Sequence, residues 1–429
     1  MTKRTRTILF SICLLLFVLL APTAVLYSQG YRIDLNPPAG GIKLTQTGGL
    51  FVKALPKQAD IYINNELNKR TDFFFGSALI ENLLPKDYKI EIKKDGYHAW
   101  EKTLPIKEKQ VQEARNIVLF PQDIKLANLS TQVTEFWLSP DSKKIVTLEQ
   151  EEEGWALKLH DLDKNIKSHL ISEMDIFAQG SELLNLTFSE DSRKLNLKTG
   201  SAEKIKYFTL EIDKTKLIPA EVPAPLLTEE NILAQQKING DTYYLNQDGQ
   251  LLKNEEILTL VPFPAKQETK YNLHFWQNNI FLQEANTLYQ FNDESKEFDF
   301  FFDKLISFKV SPDHRRLVYF SKQELWTFFL EDINELPAKK SGDKILLTNS
   351  KEQLIDIFWL NNDYLLFTTK EIVSIIELDD RDRLNIIDVI EIKELSPDES
   401  IKQISWNQSN KRLYLLIGET LYGSDVLLP

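Results

Sequence analysis

Catalysis needs reactive side chains at defined spacings, and the 429-residue chain offers few of them. The sequence contains no G-x-S-x-G elbow, which positions a hydrolase nucleophile, and no H-x-x-x-H pair, which binds zinc from one helix face. The five histidines are scattered along the chain: His98, His160, His169, His274 and His314. We therefore predict that the protein is not an enzyme.

One segment has the opening of a calcium-binding loop. The stretch "DLDKN" (161–165) supplies carboxylates at alternate positions, as such loops do. However, Ile166 stands where the loop needs glycine, and Ser172 where it needs a bidentate glutamate. The segment is predicted to be a polar hairpin tip, and no metal or other cofactor is predicted.

Tyr97 and Trp100 are the candidate ligand contacts. Aromatic faces stack on the C–H surfaces of sugar rings, so this pair is a candidate carbohydrate contact. The alternative is that both side chains close the core or an edge of their own domain.

The element that precedes these residues is an apolar N-terminal run. Ile8 to Tyr27 carry no charge and can cross the roughly 30 Å hydrocarbon core of a bilayer as a helix. Lys3, Arg4 and Arg6 come before the run, and positive charge stays on the cytoplasmic side. The sequence predicts a cytoplasmic stub (1–7) and a transmembrane anchor (8–27) in the plasma membrane, with the rest of the chain outside the cytoplasm. A cleaved signal peptide is the alternative.

Composition narrows the partners and the compartment. The formal net charge of -12 opposes binding to nucleic acid, which needs a basic stripe. Cys13, the only cysteine, lies inside the apolar run, so the chain outside the membrane has no disulfides. This fits a bacterial envelope protein better than an animal secreted one. Pro37, Pro38 and a glycine pair indicate a linker over 28–46.

Residues 47–121 alternate apolar and polar side chains, as half-buried antiparallel strands do. Ile61 and Ile63 share one strand face, and Ile90 and Ile92 share another together with Tyr88. Asp95-Gly96 is a hairpin turn signal. A small β-domain is predicted here.

This domain resembles the PEGA domain, a small β-sandwich of bacterial and archaeal envelope proteins. The resemblance covers "GGLFVKALPKQADIYINN" (48–65), "LLPKDYKIEIKKDGYHAWEKTLPI" (83–106) and "NIVLF" (116–120). The matching positions are Pro56, Ala59, Tyr62, Ile63, Pro85, Tyr88, Gly96, Tyr97 and Trp100, while Lys57, Gln58 and Lys86 depart from the family's turn residues. The resemblance implies an extracytoplasmic binding or spacer module without catalytic residues.

One turn recurs in the rest of the chain. It reads "SPDSKKIV" (139–146), "SEDSRKLN" (189–196) and "SPDHRRLV" (311–318), with looser copies starting at 357 and 404 and degenerate ones near 231 and 271. A repeat of about 40–50 residues made of short strands is typical of a β-propeller with one four-stranded blade per repeat. We predict a propeller over 122–429 with seven blades, or six as the alternative.

The ends of this propeller and its turns carry further information. The stretch "DIKLANL" (123–129) is placed to complete the last blade and so join the ends of the ring. The turn resembles the Ser-Pro-Asp-Gly hairpin of the propeller in the periplasmic Tol-Pal system and of related Pro-Asp-type propellers. Ser142, Ser192 and His314 stand in place of the usual glycine. This resemblance implies an architecture but no particular ligand.

These observations predict a mostly β, membrane-anchored protein of the bacterial cell envelope that binds or scaffolds without catalysis. Its predicted partners are the membrane and a cell-wall polymer, a surface-layer protein or another envelope protein, bound through the PEGA-like domain and the propeller face. Two alternatives remain open. The protein could be a ligand sensor acting through a membrane partner, or a hydrolase or lyase with residues gathered from several blades.

Overall fold

The structure is a computed structural model that describes residues 3–35, 40–176, 180–201, 204–220, 231–266, 268–396 and 398–428. It is mostly β, with one helix at the N-terminus. Helix α1 (Lys3–Ser28) is long and apolar enough to cross a membrane. Its large apolar side chains are exposed, Phe10 and Phe17 among them. Its length and composition are those of a membrane anchor or a signal sequence.

A hairpin follows α1 directly. It consists of β1 (Tyr31–Asp34) and β2 (Lys43–Gln46). The Arg32 guanidinium lies 3.6 Å from the centre of the Tyr27 ring and donates a 2.7 Å hydrogen bond to Asn82 Oδ1, so it ties the hairpin to both α1 and the next domain. The described part of the segment 28–46, predicted as a linker, thus carries a strand pair, while Pro37 and Pro38 lie outside the described residues.

Seven strands form the small domain: β3 (Gly48–Leu55), β4 (Asp60–Ile63), β5 (Glu66–Arg70), β6 (Ser77–Leu83), β7 (Asp87–Lys93), β8 (Trp100–Pro105) and β9 (Val111–Val118). They form two sheets, in the orders β6–β3–β9 and β5–β4–β7–β8. The inward residues predicted from alternation, such as Ile61, Ile90 and Ile92, are buried between the sheets. The predicted turn at Asp95-Gly96 also forms, with Gly96 at a φ of 80°.

The remaining strands begin with β10 (Leu126–Ser130) and continue as four-stranded antiparallel sheets. Sheet one comprises β11 (Val133–Leu138), β12 (Lys144–Glu151), β13 (Gly154–Asp161) and β14 (Ile166–Ser172). Sheet two comprises β15 (Glu182–Phe188), β16 (Lys194–Ser201), β17 (Lys204–Glu211) and β18 (Lys216–Ala220). Sheet three comprises β19 (Ile232–Ile238), β20 (Asp241–Asn246), β21 (Leu251–Lys253) and β22 (Glu256–Ile257).

Sheet four comprises β23 (Tyr271–Trp276), β24 (Asn279–Glu284), β25 (Thr287–Asn292) and β26 (Glu297–Phe302). Sheet five comprises β27 (Ser307–Val310), β28 (Arg316–Phe320), β29 (Glu324–Phe329) and β30 (Lys344–Asn349). Sheet six comprises β31 (Asp356–Trp359), β32 (Tyr364–Thr368), β33 (Ile372–Glu377) and β34 (Ile386–Glu391). Sheet seven comprises β35 (Ile401–Asn407), β36 (Arg412–Ile417), β37 (Thr420–Ser424) and β10. Short 3-10 helices lie at Glu173–Asp175, Ile212–Lys214 and Ile392–Glu394.

Buried clusters connect six of the seven consecutive pairs of sheets in the described structure. They join sheet one to two, three to four, four to five, five to six and six to seven. The sixth joins the last sheet to the first, because Tyr414 and Leu416 of sheet seven pack with Val133 and Phe136 of sheet one. This cyclic order is that of a β-propeller. The predicted closing strand is confirmed over Leu126–Ser130, which pairs antiparallel with β37.

The recurring turn has one geometry in its three clear copies. Ser139 Oγ donates a 2.6 Å hydrogen bond to Asp141 Oδ1 and accepts one of 2.9 Å from Lys144 N. The turns at Ser189 and Ser311 repeat both bonds. The serine and aspartate therefore satisfy the turn's own backbone, as such residues do in tight turns.

The residues that replace the usual turn glycine also connect neighbouring sheets. Ser142 and Ser192 have φ angles of 60° and 58°, in the left-handed region that favours glycine. Ser192 Oγ accepts a 3.0 Å hydrogen bond from Asp141 N in sheet one, and Ser142 O accepts one of 2.7 Å from Asn407 Nδ2 in sheet seven. The turn thus recurs because it closes a hairpin and also links that hairpin to the next one.

Candidate binding cleft between the small domain and the propeller

The small domain is docked on sheet six of the propeller through a buried ion pair. Lys102 Nζ lies 2.5 Å from Glu377 Oε1, and the side chains of Lys102 and Glu377 are 0% and 2% exposed. Trp100 donates its indole N–H to Glu377 Oε2 at 2.7 Å. Lys102 Nζ also donates to the carbonyl oxygens of Asp379 and Arg383. The Lys102 ammonium group therefore has three partners on the propeller, enough for its three N–H donors.

Burial and neighbouring groups shift the pKa of Glu377 in opposite directions. Burial raises the pKa of its carboxyl group, and the neighbouring Lys102 ammonium and Trp100 indole N–H oppose that rise. Asn385 Nδ2 adds a 2.8 Å hydrogen bond to Oε1. A buried ion pair stabilises a protein only when hydrogen bonds satisfy its remaining polar atoms, and here they do.

Further contacts lie along β9 and just after it. The Tyr364 hydroxyl accepts a 3.0 Å hydrogen bond from Val118 N, and the Tyr364 ring meets Phe120 edge-on at 5.3 Å between centroids. Arg381 Nη1 donates a 2.7 Å hydrogen bond to the Glu113 carbonyl oxygen. The small domain and the propeller are therefore joined by apolar, neutral polar and charged contacts together.

A cleft of about 330 Å³ opens beside this interface, between β9 and the turns of sheets five and six. Its charged lining residues are Arg115, Asp313, Arg315, Arg316, Glu335, Lys339, Asp363, Glu377, Asp379 and Arg381. Asp313, Arg315 and Arg316 come from the "SPDHRR" turn, one copy of the repeat. A turn that solvates its hairpin elsewhere in the ring thus forms one wall of a cleft here.

The charges in the cleft differ in how tightly they are paired. Arg316 and Asp313 form a 2.7 Å ion pair, and Arg381 and Asp379 one of 2.5 Å. The Asp363 carboxylate is 3.8 Å from Arg316 Nη2, and burial raises its pKa. Arg315 lies 3.7 Å from Glu331 and 3.8 Å from Glu335. Arg315 Nη2 also donates a hydrogen bond to the Asp332 carbonyl oxygen, and Asn116 donates one to the Asp363 side chain. The ion pairs of Asp363 and Arg315 are nevertheless the longer ones, at 3.7–3.8 Å, so their charges are the ones that an incoming ligand could engage.

The predicted ligand contacts lie in or near the docking interface. Trp100 is 4% exposed and its indole N–H is engaged by Glu377. Tyr97 is partly buried against the small-domain core and forms an isolated bridge with Pro121. A carbohydrate contact through these two residues stays a prediction, and the structure gives Trp100 a second role in holding the two domains together.

The "DLDKN" segment forms the tip between β13 and β14, where basic groups satisfy its carboxylates. Asp161 Oδ1 accepts a 3.0 Å hydrogen bond from Lys164 N, and Asp161 Oδ2 pairs with the Lys164 ammonium at 3.0 Å. Asp163 lies 3.4 Å from Lys143 Nζ. Within the described parts of the chain, no group of three or more His, Cys, Asp or Glu side chains is arranged to hold a metal ion.

Sequence reasoning missed the residues that matter most in this region: Lys102, Asp363, Arg315 and Glu377. A signal existed for Lys102, because alternation along β8 places it on the same face as Trp100 and Leu104. A lysine between two inward apolar residues indicates either a strand edge or a buried partner. No comparable local signal marks the carboxylates.

Comparison with known proteins adds little to this picture. No protein-family model and no curated protein matches the chain. Among solved structures, the chain is similar to the C-terminal WD40 domain of Sif2, with 11% identity and a TM-score of 0.36, over 89% of this chain and 96% of that domain. The propeller assignment rests instead on the cyclic sheet order described above.

Proposed function

We propose that this protein is a non-catalytic binding or scaffold protein of the bacterial cell envelope, anchored in the plasma membrane by α1. In this proposal residues 1–7 lie in the cytoplasm, the PEGA-like domain follows the membrane, and the seven sheets are the seven blades of the propeller. The observation that carries the proposal is the buried Lys102–Glu377 contact. It joins the small domain to the propeller, so one anchor presents the cleft that both domains build.

The anchor is supported by the exposure of α1 and by its basic flank. Its large apolar side chains from Ile8 to Leu20 are exposed in the described structure, with Phe17 68% exposed. Lipid would remove that surface from water. Because β1 starts soon after α1 ends, the small domain would stand at the membrane surface.

The cleft favours a ligand that carries both a positive and a negative group. Asp363 and Arg315, whose ion pairs are the longer ones, line the same cleft, where they can meet an amine and a carboxylate of the same partner. Peptide-bearing cell-wall polymer, a surface-layer protein and another envelope protein all present such groups. A ligand sensor acting through a membrane partner remains the alternative.

The test is co-sedimentation of the full chain, held in lipid nanodiscs, with purified cell-wall sacculi and separately with isolated surface-layer and envelope proteins. We expect Arg315→Glu to weaken the binding about tenfold, equivalent to about 1.4 kcal/mol. Arg193→Glu is the matched control, because Arg193 occupies the same position of the turn in sheet two. Binding that resists protease treatment of the sacculi would identify the polymer as the ligand.

Two results would count against the proposal. Failure to bind any of these envelope fractions would reject the scaffold function. Equal binding by the two arginine variants would reject the cleft as the site and place the ligand on another face.

A further inference from the structure

The small domain exposes three consecutive phenylalanines at the tip between β5 and β6. Phe73, Phe74 and Phe75 are 65%, 74% and 73% exposed. Phenylalanine is usually among the more buried residue types, and a single exposed one needs no explanation. Three together form an apolar tip that water solvates poorly.

The tip is built by specific contacts. Asp72 Oδ1 accepts hydrogen bonds from Phe75 N at 2.6 Å and Phe74 N at 2.8 Å, and Oδ2 accepts them from Ser77 Oγ and N. These bonds together lower the pKa of Asp72 to about 2. Gly76, at a φ of 66°, brings the chain back so closely that a Cβ there would lie 2.6 Å from the Ala54 carbonyl oxygen. Because these bonds fix the backbone of the tip, they hold the three phenylalanine side chains facing solvent.

We propose that this tip inserts into the outer leaflet of the same bilayer that α1 spans, as a second membrane contact. The inference rests on the proposed membrane anchor. A convex tip of three side chains is too small for a stable protein interface, which buries about 1,200 Å² or more. Shallow insertion of apolar side chains at the headgroup boundary needs no such area.

Charge favours lipid as the occupant. Lys57 Nζ donates a 2.7 Å hydrogen bond to the Phe74 carbonyl oxygen, and Lys94 Nζ donates to the Lys57 carbonyl oxygen, so two cations stand behind the tip. Residues 47–121 contain 12 basic and 10 acidic residues, whereas residues 122–429 contain 34 basic and 52 acidic ones. The small domain is therefore the part of the folded chain outside α1 that can approach an anionic surface.

The position of the tip sets the orientation of the domain. Thr47 N donates a 2.9 Å hydrogen bond to Gly30 O, which places the start of β3 beside the end of α1, and Ala54 N bonds to Gly76 O at the other end of that strand. The two ends of β3 are about 20–25 Å apart, so β3 must lie along the bilayer surface for both to reach it. Ile33 and Leu44, paired across the hairpin and 62% and 48% exposed, would be buried in lipid at the first end.

The test uses the full chain in vesicles of equal parts phosphatidylcholine and phosphatidylglycerol with spin labels on the acyl chains. Cys13, the only cysteine, is replaced by serine. A new cysteine carrying a polarity-sensitive fluorophore is then introduced by Phe74→Cys. Ile166→Cys, on an exposed propeller hairpin, is the matched control. The unaltered chain labelled at Cys13 reports on α1 itself.

We expect blue-shifted emission and strong quenching for the labels at positions 13 and 74, and neither for the label at position 166. A quenched label at position 13 with an aqueous label at position 74 overturns the second contact while the anchor stands. Aqueous labels at both positions overturn the anchor and, with it, this inference. Because Phe74 is largely exposed, its replacement leaves the packed core untouched.

Discussion

Two buried glutamates, one at the domain interface and one in sheet one, have pKa values shifted in opposite directions. The side chains of Glu377 and Glu149 are 2% and 5% exposed, so both are removed from water. Burial raises the pKa of Glu377, and its one lysine partner does not reverse the rise. Burial also acts to raise the pKa of Glu149, but hydrogen bonds from Lys167, Ser130 and Lys158 outweigh it and lower the pKa to about 2.

The two glutamates differ in the hydrogen-bond donors that surround their carboxylates. Glu149 has two lysines at 2.9 and 2.8 Å and two hydroxyl donors. Glu377 has a single lysine, which it shares with two backbone carbonyl groups. Its other donors, Trp100 and Asn385, are neutral. The only charged donor of Glu377 therefore comes from the other domain, whereas both lysines of Glu149 come from its own sheet.

The largest expected effect comes from removing the interface glutamate. Glu377→Ala leaves Lys102 buried without its carboxylate and leaves the Trp100 indole N–H without an acceptor. Such a change typically costs about 3–5 kcal/mol of unfolding free energy, measured by urea denaturation.

Glu371→Ala is the control for this change. Glu371 lies just before β33 and pairs with Lys393, just after β34, at 2.6 Å, but the lysine is 65% exposed. Exposed pairs of this kind contribute about 0–1 kcal/mol. Equal losses in the two variants would contradict the structural importance of the interface pair.

Acid should destabilise the protein partly through Glu149. Its pKa is about 2 in the folded chain against an ordinary value of 4.5, so the unfolded chain binds more protons between these values. The contribution of Glu149 is therefore complete above pH 4.5 and is lost as the pH falls toward 2. Allowing for solvent screening, we expect about 1–2 kcal/mol from this residue. Unfolding free energies measured across this pH range should fall less steeply in Glu149→Gln than in the unaltered chain.

Glu377 should contribute with the opposite sign. Its folded-state pKa is raised above 4.5, so the folded chain binds more protons than the unfolded chain at pH values just above 4.5. Its favourable contribution is present at and below pH 4.5 and declines as the pH rises through the raised pKa. Glu377→Gln should remove this decline from the pH profile of unfolding free energy. A profile parallel to that of the unaltered chain would mean that Lys102 compensates the burial completely.

Features set by residues close together in the sequence could be predicted, whereas contacts between distant residues could not. Strand alternation and the Ser-x-Asp turn are local, so the small β-domain, the repeated hairpins and the closing strand could be predicted from sequence. Trp100 and Glu377 are 277 positions apart. No local pattern selects that partner, and the cleft exists only because the two domains dock. The position of Lys102 on an inward strand face indicates a buried charge but does not identify the residue that pairs with it.

The smallest expected effects come from the recurring turn, and they separate its role in closing a hairpin from its role in linking neighbouring hairpins. Ser192 occupies the left-handed region, which costs a non-glycine residue about 1–2 kcal/mol, but its hydroxyl accepts the hydrogen bond from Asp141 N. Ser142 carries the same strain, and its link to Asn407 uses the backbone carbonyl oxygen instead. Ser142→Gly should therefore stabilise the protein by about 1 kcal/mol.

Ser192→Gly should be close to neutral, because the relief of strain offsets the lost hydrogen bond of about 0.5–1.5 kcal/mol. Ser192→Ala keeps the strain and loses the bond, so it should destabilise the protein by about 1 kcal/mol. The three thermal unfolding midpoints should rank Ser142→Gly highest and Ser192→Ala lowest. If both glycine variants gained equally, the bond between neighbouring turns would contribute nothing, and the serine would recur in the turn without an energetic reason.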